Sequence, residues 1–489
     1  MSDTTLPDPA FFHPSGRAFR FTILIFVGLL TYGSYFAYDC VGAIPGQLMK
    51  TWSVSQDAIG GLYSIYSLAA IITLLFSGIL IDRIGARKAS LLFSALVTLG
   101  AVLVAFAPTI GLALAGRFIF GWGSESLVVA QNAILTRWFK GKELAFSFGA
   151  TLTIARLGTL FSFNTEALIA ERLGPTAALW AAALLCGLSL LANLVYAVMD
   201  IRAARILELK DEATGEDLAR VWDHRLWLVV GAGLLLTAVR YLGYIQYFDL
   251  MTDFTILWAV IMLVVAIAVA VIAKLPPSWW YVSLLCVTFY SAIFPFTALS
   301  TDLFASKWGL PNTQATGLGF FQAIFFNFAH MFSTAPGTSS IIIFASMCFA
   351  PFAGGLVDKI GRRASLMILG SLLMIPAHLL VGLTHLPPVF AMLILGASFV
   401  LVPAAMWPAV PLVVEKERVG VAFGIMTMIQ NVGLMAFPVF NGKLRVMTGD
   451  YTASQVMFAC LGALGLFFAL GLLRADRRAG HVLERPHAG

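Results

Sequence analysis

Apolar residues run through this chain in long stretches, at 20–46, 58–81, 87–107, 111–138, 143–170 and 174–199, and again at 279–303, 339–357, 364–384, 387–413, 418–440 and 452–474. None alternates with the period of two that a half-buried strand requires, so each reads as a helix. About 20 residues at ~1.5 Å rise cross the hydrocarbon core of a bilayer, and only helices or closed barrels satisfy their backbone polar groups there. Two further apolar runs, about 226–243 and 254–274, predict an extra transmembrane hairpin between the two sets of six. The pattern therefore predicts an all-α polytopic membrane protein of about 14 spans. Its parts are an N-terminal six-helix bundle over 1–199, a charged linker plus hairpin over 200–278, a C-terminal six-helix bundle over 279–474 and a tail over 475–489. The Phe-rich stretch Gly319–Phe332 is either an interfacial helix or an extension of the span that follows it.

A repeat supports the division into halves. Gly78-Ile-Leu80-Ile-Asp82-Arg-Ile84-Gly85-Ala-Arg87 recurs as Gly354-Gly-Leu356-Val-Asp358-Lys-Ile360-Gly361-Arg-Arg363, each copy in the short loop after the second span of its half. This duplicated loop resembles the signature of the major facilitator superfamily, whose fold is a pair of parallel six-helix bundles. In such a loop the Asp caps the following helix and the Arg reaches a neighbouring helix end. Asp82, Arg87, Asp358 and Arg363 are therefore candidate gating residues, with a simple hairpin turn as the alternative.

Composition agrees with the pattern. Of 489 residues 60% are hydrophobic and 11% charged, and the mean hydropathy is +0.89. The net charge of +6 does not point to nucleic acid, because the basic residues fall in short clusters between spans. Arg83, Arg87 and Lys88, then Arg137, Lys140 and Lys142, then Lys359, Arg362 and Arg363, then Lys416 and Arg418 mark those loops as cytoplasmic by the positive-inside rule, with both termini on the same side. The five cysteines lack metal or disulfide spacing and read as packing. The polar, Pro-containing start and the long first run argue against a cleaved signal peptide. The seven histidines are dispersed, no nucleophile–base pair or phosphate-binding loop occurs, and no cofactor is expected. An enzyme, a carrier driven by ATP hydrolysis on this chain and a membrane sensor are all disfavoured.

Candidate chemistry lies within the spans. Glu125 and Arg156 sit near the middle of consecutive antiparallel runs, where a charge costs about 2.5–3.5 kcal/mol on insertion scales and marks a functional site. At matching depth they offer a carboxylate for an ammonium and a guanidinium for a carboxylate, which suits a zwitterion. A salt bridge between them is the plain alternative. Arg117, two turns before Glu125, is a third possibility as its partner. Asp39 and Arg117 are also candidates for a proton carrier or charge pair. Asn132, Asn164, Glu166, Gln430 and Asn431 are further polar residues in apolar surroundings, for which interhelical hydrogen bonding is the ordinary role. Tyr35, Tyr38, Tyr290 and Trp407 are candidates to line a cavity.

Longer strings resemble the lysosomal dipeptide transporter family, major facilitator superfamily domain-containing protein 1. They are Gly33–Asp39, Gly116–Asn132, Trp138–Glu143, Ile154–Gly158, Phe289–Phe296, Met406–Val410 and Gly424–Leu434, and they cover both halves. The resemblance implies an alternating-access dipeptide uniporter in which Glu125 contacts the peptide ammonium and Arg156 its carboxylate. Trp407 and Asn431 are implied as cavity residues, and Tyr38 joins them as a candidate binding residue. Expected partners are short peptides and membrane lipids, with no nucleic acid. The 226–274 hairpin, the Phe-rich segment and the lack of an acidic dileucine signal depart from the animal proteins. They weigh against a lysosomal address and the animal family's accessory subunit. The Ala-, Gly- and Arg-leaning composition suggests a bacterial relative in the plasma (inner) membrane, the lysosomal membrane being the expectation for an animal chain. A proton-coupled exporter or symporter of drugs or organic anions is the competing function on the same fold.

Overall fold

A computed structural model describes residues 13–14, 16–139, 144–206, 274–313, 317–415 and 419–485. The expected hairpin at 226–274 falls almost wholly outside them. The first half comprises α1 (Arg17–Ala43), the short α2 (Pro45–Trp52), α3 (Gln56–Ile84), α4 (Ala86–Phe106), α5 (Ile110–Phe139), α6 (Leu144–Leu173) and α7 (Pro175–Ile206). The second comprises α8 (Pro277–Trp308), the short α9 (Phe320–Ala329), α10 (Ala335–Ile360), α11 (Arg363–Leu383), α12 (Pro388–Val413), α13 (Val419–Thr448) and α14 (Thr452–Arg478). Ten of these helices are long and apolar enough to cross a membrane by length and composition.

Local chemistry sets the boundaries. Pro175, Pro277 and Pro388 open helices at the first helical position, where the missing N–H is no loss. The Thr334 side chain accepts from Gly337 N at 3.2 Å at the start of α10. In both copies of the repeated loop a glycine with positive φ, Gly85 (+82°) and Gly361 (+65°), separates one span from the next. An L side chain rarely adopts that backbone, which is why the repeat keeps glycine there.

The Phe-rich segment resolves as the ten-residue α9, followed by a 3-10 turn and then α10. It is a separate element, not an extension of α10. Ala323 of α9 packs with Leu168 of α6, while Phe321 and Phe325 are exposed. Lateral faces of the bundle are likewise apolar: Leu184 and Leu191 of α7 and Phe467 of α14 are more than half exposed, as suits contact with acyl chains.

At the end opposite the basic loops the halves are sealed together. α3 packs along α13, α6 against α10 and α1 against α8. A Cβ added to Gly442 on α13 would lie 2.7 Å from Asp57 Cα on α3, so the two backbones meet only because that side chain is missing. Ser64 Oγ donates to Met435 O across the same interface. Nearer the end, Gln56 Nε2 donates to Asp302 Oδ2 at 2.6 Å and lies 2.7 Å from Tyr451 Oη, which itself donates to Asp302 Oδ2 at 2.8 Å. Arg445 lies 3.9 Å from that carboxylate and 5.1 Å from the Tyr451 ring centroid. Burial, with the Asp302 carboxylate beside it, holds the Tyr451 phenol well above the ordinary tyrosine range, so it stays a neutral donor.

Candidate functional site

Between the halves lies a cavity of about 480 Å³, within the range of small-molecule sites. It reaches from Ser34, Tyr38 and Asp39 on α1 through the middle of the bundle toward Gly149 on α6 and Trp407 on α12, which lie nearer the basic-loop end. The sealed end is thus opposite the end toward which the cavity extends. A second cavity, of about 470 Å³, lies at the sealed rim between α2 and α8.

Glu125 and Arg156 both line the central cavity, each near the middle of a 30-residue helix. They are not paired. Tyr66 Oη of α3 donates to Glu125 Oε1 at 2.8 Å, which orients the carboxylate and leaves lone pairs for a further donor. The Arg156 guanidinium makes no ion pair or hydrogen bond among the described residues. It stands over the rings of Phe399 (4.8 Å), Tyr35 (5.6 Å) and Phe294 (5.8 Å). Ring faces attract a cation without consuming its N–H donors, so the fork stays available to a carboxylate. Tyr35 belongs to the first half and the two Phe residues to the second, so Arg156 touches both.

Arg117 has another role. It is 2% exposed and ringed by Tyr38, Tyr63, Tyr66 and Phe120 at 5.2–5.6 Å. Its guanidinium donates to Ala37 O at 3.2 Å, Tyr38 O at 3.3 Å and Leu62 O at 3.5 Å. It pins α1 and α3 to α5 and does not pair with Glu125.

Of the other expected residues, Tyr38, Asp39, Tyr35, Tyr290 and Trp407 all line the cavity. Trp407 Nε1 donates to Tyr290 Oη at 3.0 Å, and the indole stacks on Phe423 at 6.0 Å. Asn431 does not line it. It is 2% exposed and donates to Thr427 O at 3.0 Å within its own helix, whereas its neighbour Gln430, turned by 100°, faces the cavity. Of the gating candidates, the Asp82 and Asp358 side chains lie outside the described ones. Arg87 reaches Asp200 Oδ2 on α7 at 2.8 Å, where Arg137 (3.4 Å) and Trp138 Nε1 (3.2 Å) meet the same fully buried carboxylate. Arg363 is 5% exposed, and its backbone N–H donates to Leu483 O at 3.0 Å, joining the chain end to the second copy of the loop. Tyr66, Phe294, Phe399, Asp200 and Asp302 escape a reading of the sequence alone. For Tyr66 the only signal is a tyrosine in an apolar run, since its partner lies 59 positions away. Among the described residues no group of three or more His, Cys, Asp or Glu is placed to hold a metal ion.

The model of the Major Facilitator Superfamily matches residues 24–340 and 332–488, most of the chain. The chain belongs to the major facilitator superfamily. Within it, the chain is 31% identical over 462 residues to the lysosomal dipeptide transporter MFSD1 of Danio rerio, covering 92% of this chain and 85% of that one. It is 30% identical over 492 residues to the Homo sapiens protein of the same name, covering 97% and 90%. Among solved structures it is similar to a POT family transporter in complex with 5-aminolevulinic acid, at TM-score 0.71 and 16% identity over 94% of this chain and 96% of that one. This major facilitator protein is a multi-pass membrane protein, and its relatives are transporters rather than enzymes. The likeness to the POT structure is one of fold.

Proposed function

We propose that this chain is an alternating-access carrier of short zwitterionic peptides, dipeptides first. The observation that carries the reading is that two opposite charges in one cavity are not paired with each other: among the described residues Glu125 is held by Tyr66 and Arg156 by ring faces. A pair serving only to neutralise itself would be in contact, because breaking it leaves two costly charges inside the bilayer. Here each is oriented and open to a ligand, the carboxylate for an ammonium and the guanidinium for a terminal carboxylate. The family's dipeptide transporters of like length support the choice of ligand. Tyr290, Phe294, Phe399 and Trp407 supply apolar walls that accept varied side chains without demanding one.

With the basic loops cytoplasmic, the described state faces inward, its outer end closed by α3 on α13 and α6 on α10. Both termini then lie in the cytoplasm, and for a bacterial chain the membrane is the inner one. Uniport and proton coupling differ in whether a second ion moves, and the anchors suit either. The test is counterflow of a labelled dipeptide in proteoliposomes, where Glu125→Gln and Arg156→Gln each abolish exchange. Exchange at the parent's rate in both variants overturns the site.

A further inference from the structure

The two halves differ where their repeat predicts a match. Arg87 and Arg363 occupy equivalent positions in the two copies of the loop, at the starts of α4 and α11, and each helix packs on the last span of its half, α7 or α14. Each last span carries a single aspartate near its basic-loop end, Asp200 or Asp476, at almost the same step from its start, and both are buried. In the first half the pair is closed, with Arg87 Nη1 at 2.8 Å from Asp200 Oδ2. In the second half it is open. Arg363 Nε and Nη1 and Asp476 Oδ2 are buried, and among the described residues none of the three has a hydrogen-bond partner. Buried opposite charges left apart are costly, so other contacts must hold this form.

Those contacts come from the segment after α14. Gly480 (φ +94°) and His481 (φ +61°) turn the chain back on itself, and His481 N donates to Asp476 O at 2.9 Å. Leu483 is then fully buried in the main core, and its N–H donates to Asp476 Oδ1 at 2.9 Å. The same residue meets the loop, since Leu483 O accepts from Arg363 N at 3.0 Å, while Glu484 O accepts from Arg362 N at 3.3 Å. α11 has no cap of its own, because Arg362 at that position makes no side-chain bond to it. Glu484 supplies one: its carboxylate accepts from Ser365 N at 3.0 Å and from Ser365 Oγ at 2.8 Å. A negative charge is favoured at a helix start, where N–H groups lack intrahelical partners. Leu483 thus bridges Asp476 and Arg363 through its backbone, in place of the direct pair.

We propose that residues 479–485 form a releasable strap that keeps the second copy of the loop unpaired, and that its release lets Arg363 close on Asp476 as Arg87 closes on Asp200. Docked, the strap gains a buried leucine and a helix cap and forgoes an ion pair; released, the second half gains the pair and exposes the leucine. These opposed terms are what a two-state element needs. The docked form accompanies a state whose central cavity extends toward this same end of the molecule. Release therefore favours the opposite state, in which the sealed end opens. Neither arrangement involves a ligand, so the strap stands apart from the dipeptide reading.

Leu483→Gln tests this, because a polar amide at the buried position expels the strap and adds no charge to pair with Arg363 or Asp476. Three ligand-free readouts on the purified full chain follow the consequences. Hydrogen exchange should find the backbone of 479–485 and of the α11 start protected in the parent and exchanging freely in the variant. A double-mutant cycle of Arg363→Gln and Asp476→Asn on Tm reads the pair, and Asn keeps the oxygen that accepts from Leu483. The two Tm shifts should add in the parent background; in Leu483→Gln the second substitution should cost almost nothing after the first. With the exposed Cys348 and Cys460 changed to serine, Met435→Cys on the α3–α13 seam reports opening of the sealed end. Leu483→Gln should speed its labelling by roughly threefold or more. Should that variant not purify, Glu484→Ala removes only the cap and should move all three readouts the same way by less. Equal exchange of 479–485 in parent and variant overturns the strap. Additive Tm shifts in both backgrounds overturn the switched pair, and unchanged labelling of Met435→Cys overturns its link to the two states.

Discussion

Removing the terminal carboxylate from the ligand and the guanidinium from the protein tests the anchor assignment more sharply than either change alone. Hydrogen bonds to charged groups contribute about 1.5–3 kcal/mol each, and a free dipeptide offers Arg156 a carboxylate where a C-terminally amidated one offers a neutral amide. Among the described residues the Arg156 donors have no competing acceptor, and the rings hold the cation without masking its edge. Amidation should therefore cost the parent about 1.5–3 kcal/mol, roughly a tenfold to hundredfold rise in Kd at 1.4 kcal/mol per decade. On Arg156→Gln the same amidation should cost almost nothing, because the charge that distinguished the ligands is gone. The coupling energy is the difference between the two costs, measured by titration of purified protein and by inhibition of counterflow. Arg156→Gln leaves no buried partner stranded, so its ligand-free Tm should stay near the parent's. Equal amidation costs in parent and variant, within about 0.5 kcal/mol, would refute the contact.

Other outcomes follow from the same geometry. N-acetylation of the ligand should couple to Glu125→Gln in the same way, and Tyr66→Phe should weaken binding by about 1 kcal/mol, roughly fivefold, read by titration. Arg117→Gln should lower the ligand-free Tm, since it leaves carbonyls and four rings without their cation, yet leave the preference for free over amidated peptide intact. Asp302→Asn should loosen the seal between the halves by about 1–2 kcal/mol, seen as faster labelling of a cysteine introduced at the sealed end. Asp200→Asn should destabilise the first half by about 3–5 kcal/mol by stranding Arg87 and Arg137, measured as lost yield and lowered Tm.

Much of the fold was legible because a bilayer simplifies the code. Spans must be apolar, and loops reveal themselves by charge. The expected span at 111–138 became Ile110–Phe139, and the repeated loops fell on Gly85 and Gly361, whose positive φ explains the repeat directly. Absolute rotation about each helix axis is far less legible. The span carrying Asn431 is apolar over most of its surface, so its period does not say which face meets the cavity, and one step of 100° puts Gln430 there instead. Asp200 escaped for a related reason: at a span end it resembles any interfacial charge until Arg87, 113 positions away, is brought to it.

Depth in the membrane, which sequence does give, sorts intramembrane charges into candidates but not into roles. Glu125, Arg117, Arg156 and Glu166 all lie inside spans and all look costly. What separates them is the company each keeps. Arg117 is saturated by carbonyls and rings, so its charge is spent within the protein and it acts as a fastener. Glu125 and Arg156 are each oriented by one kind of neighbour and left with unused valence toward a common space, the condition for binding a ligand with complementary ends. Glu166, fully buried beside the Cys40 thiol, faces no such common space. A charge in a span is informative to the degree that its surroundings fail to satisfy it, and that measure exists only once the helices are packed.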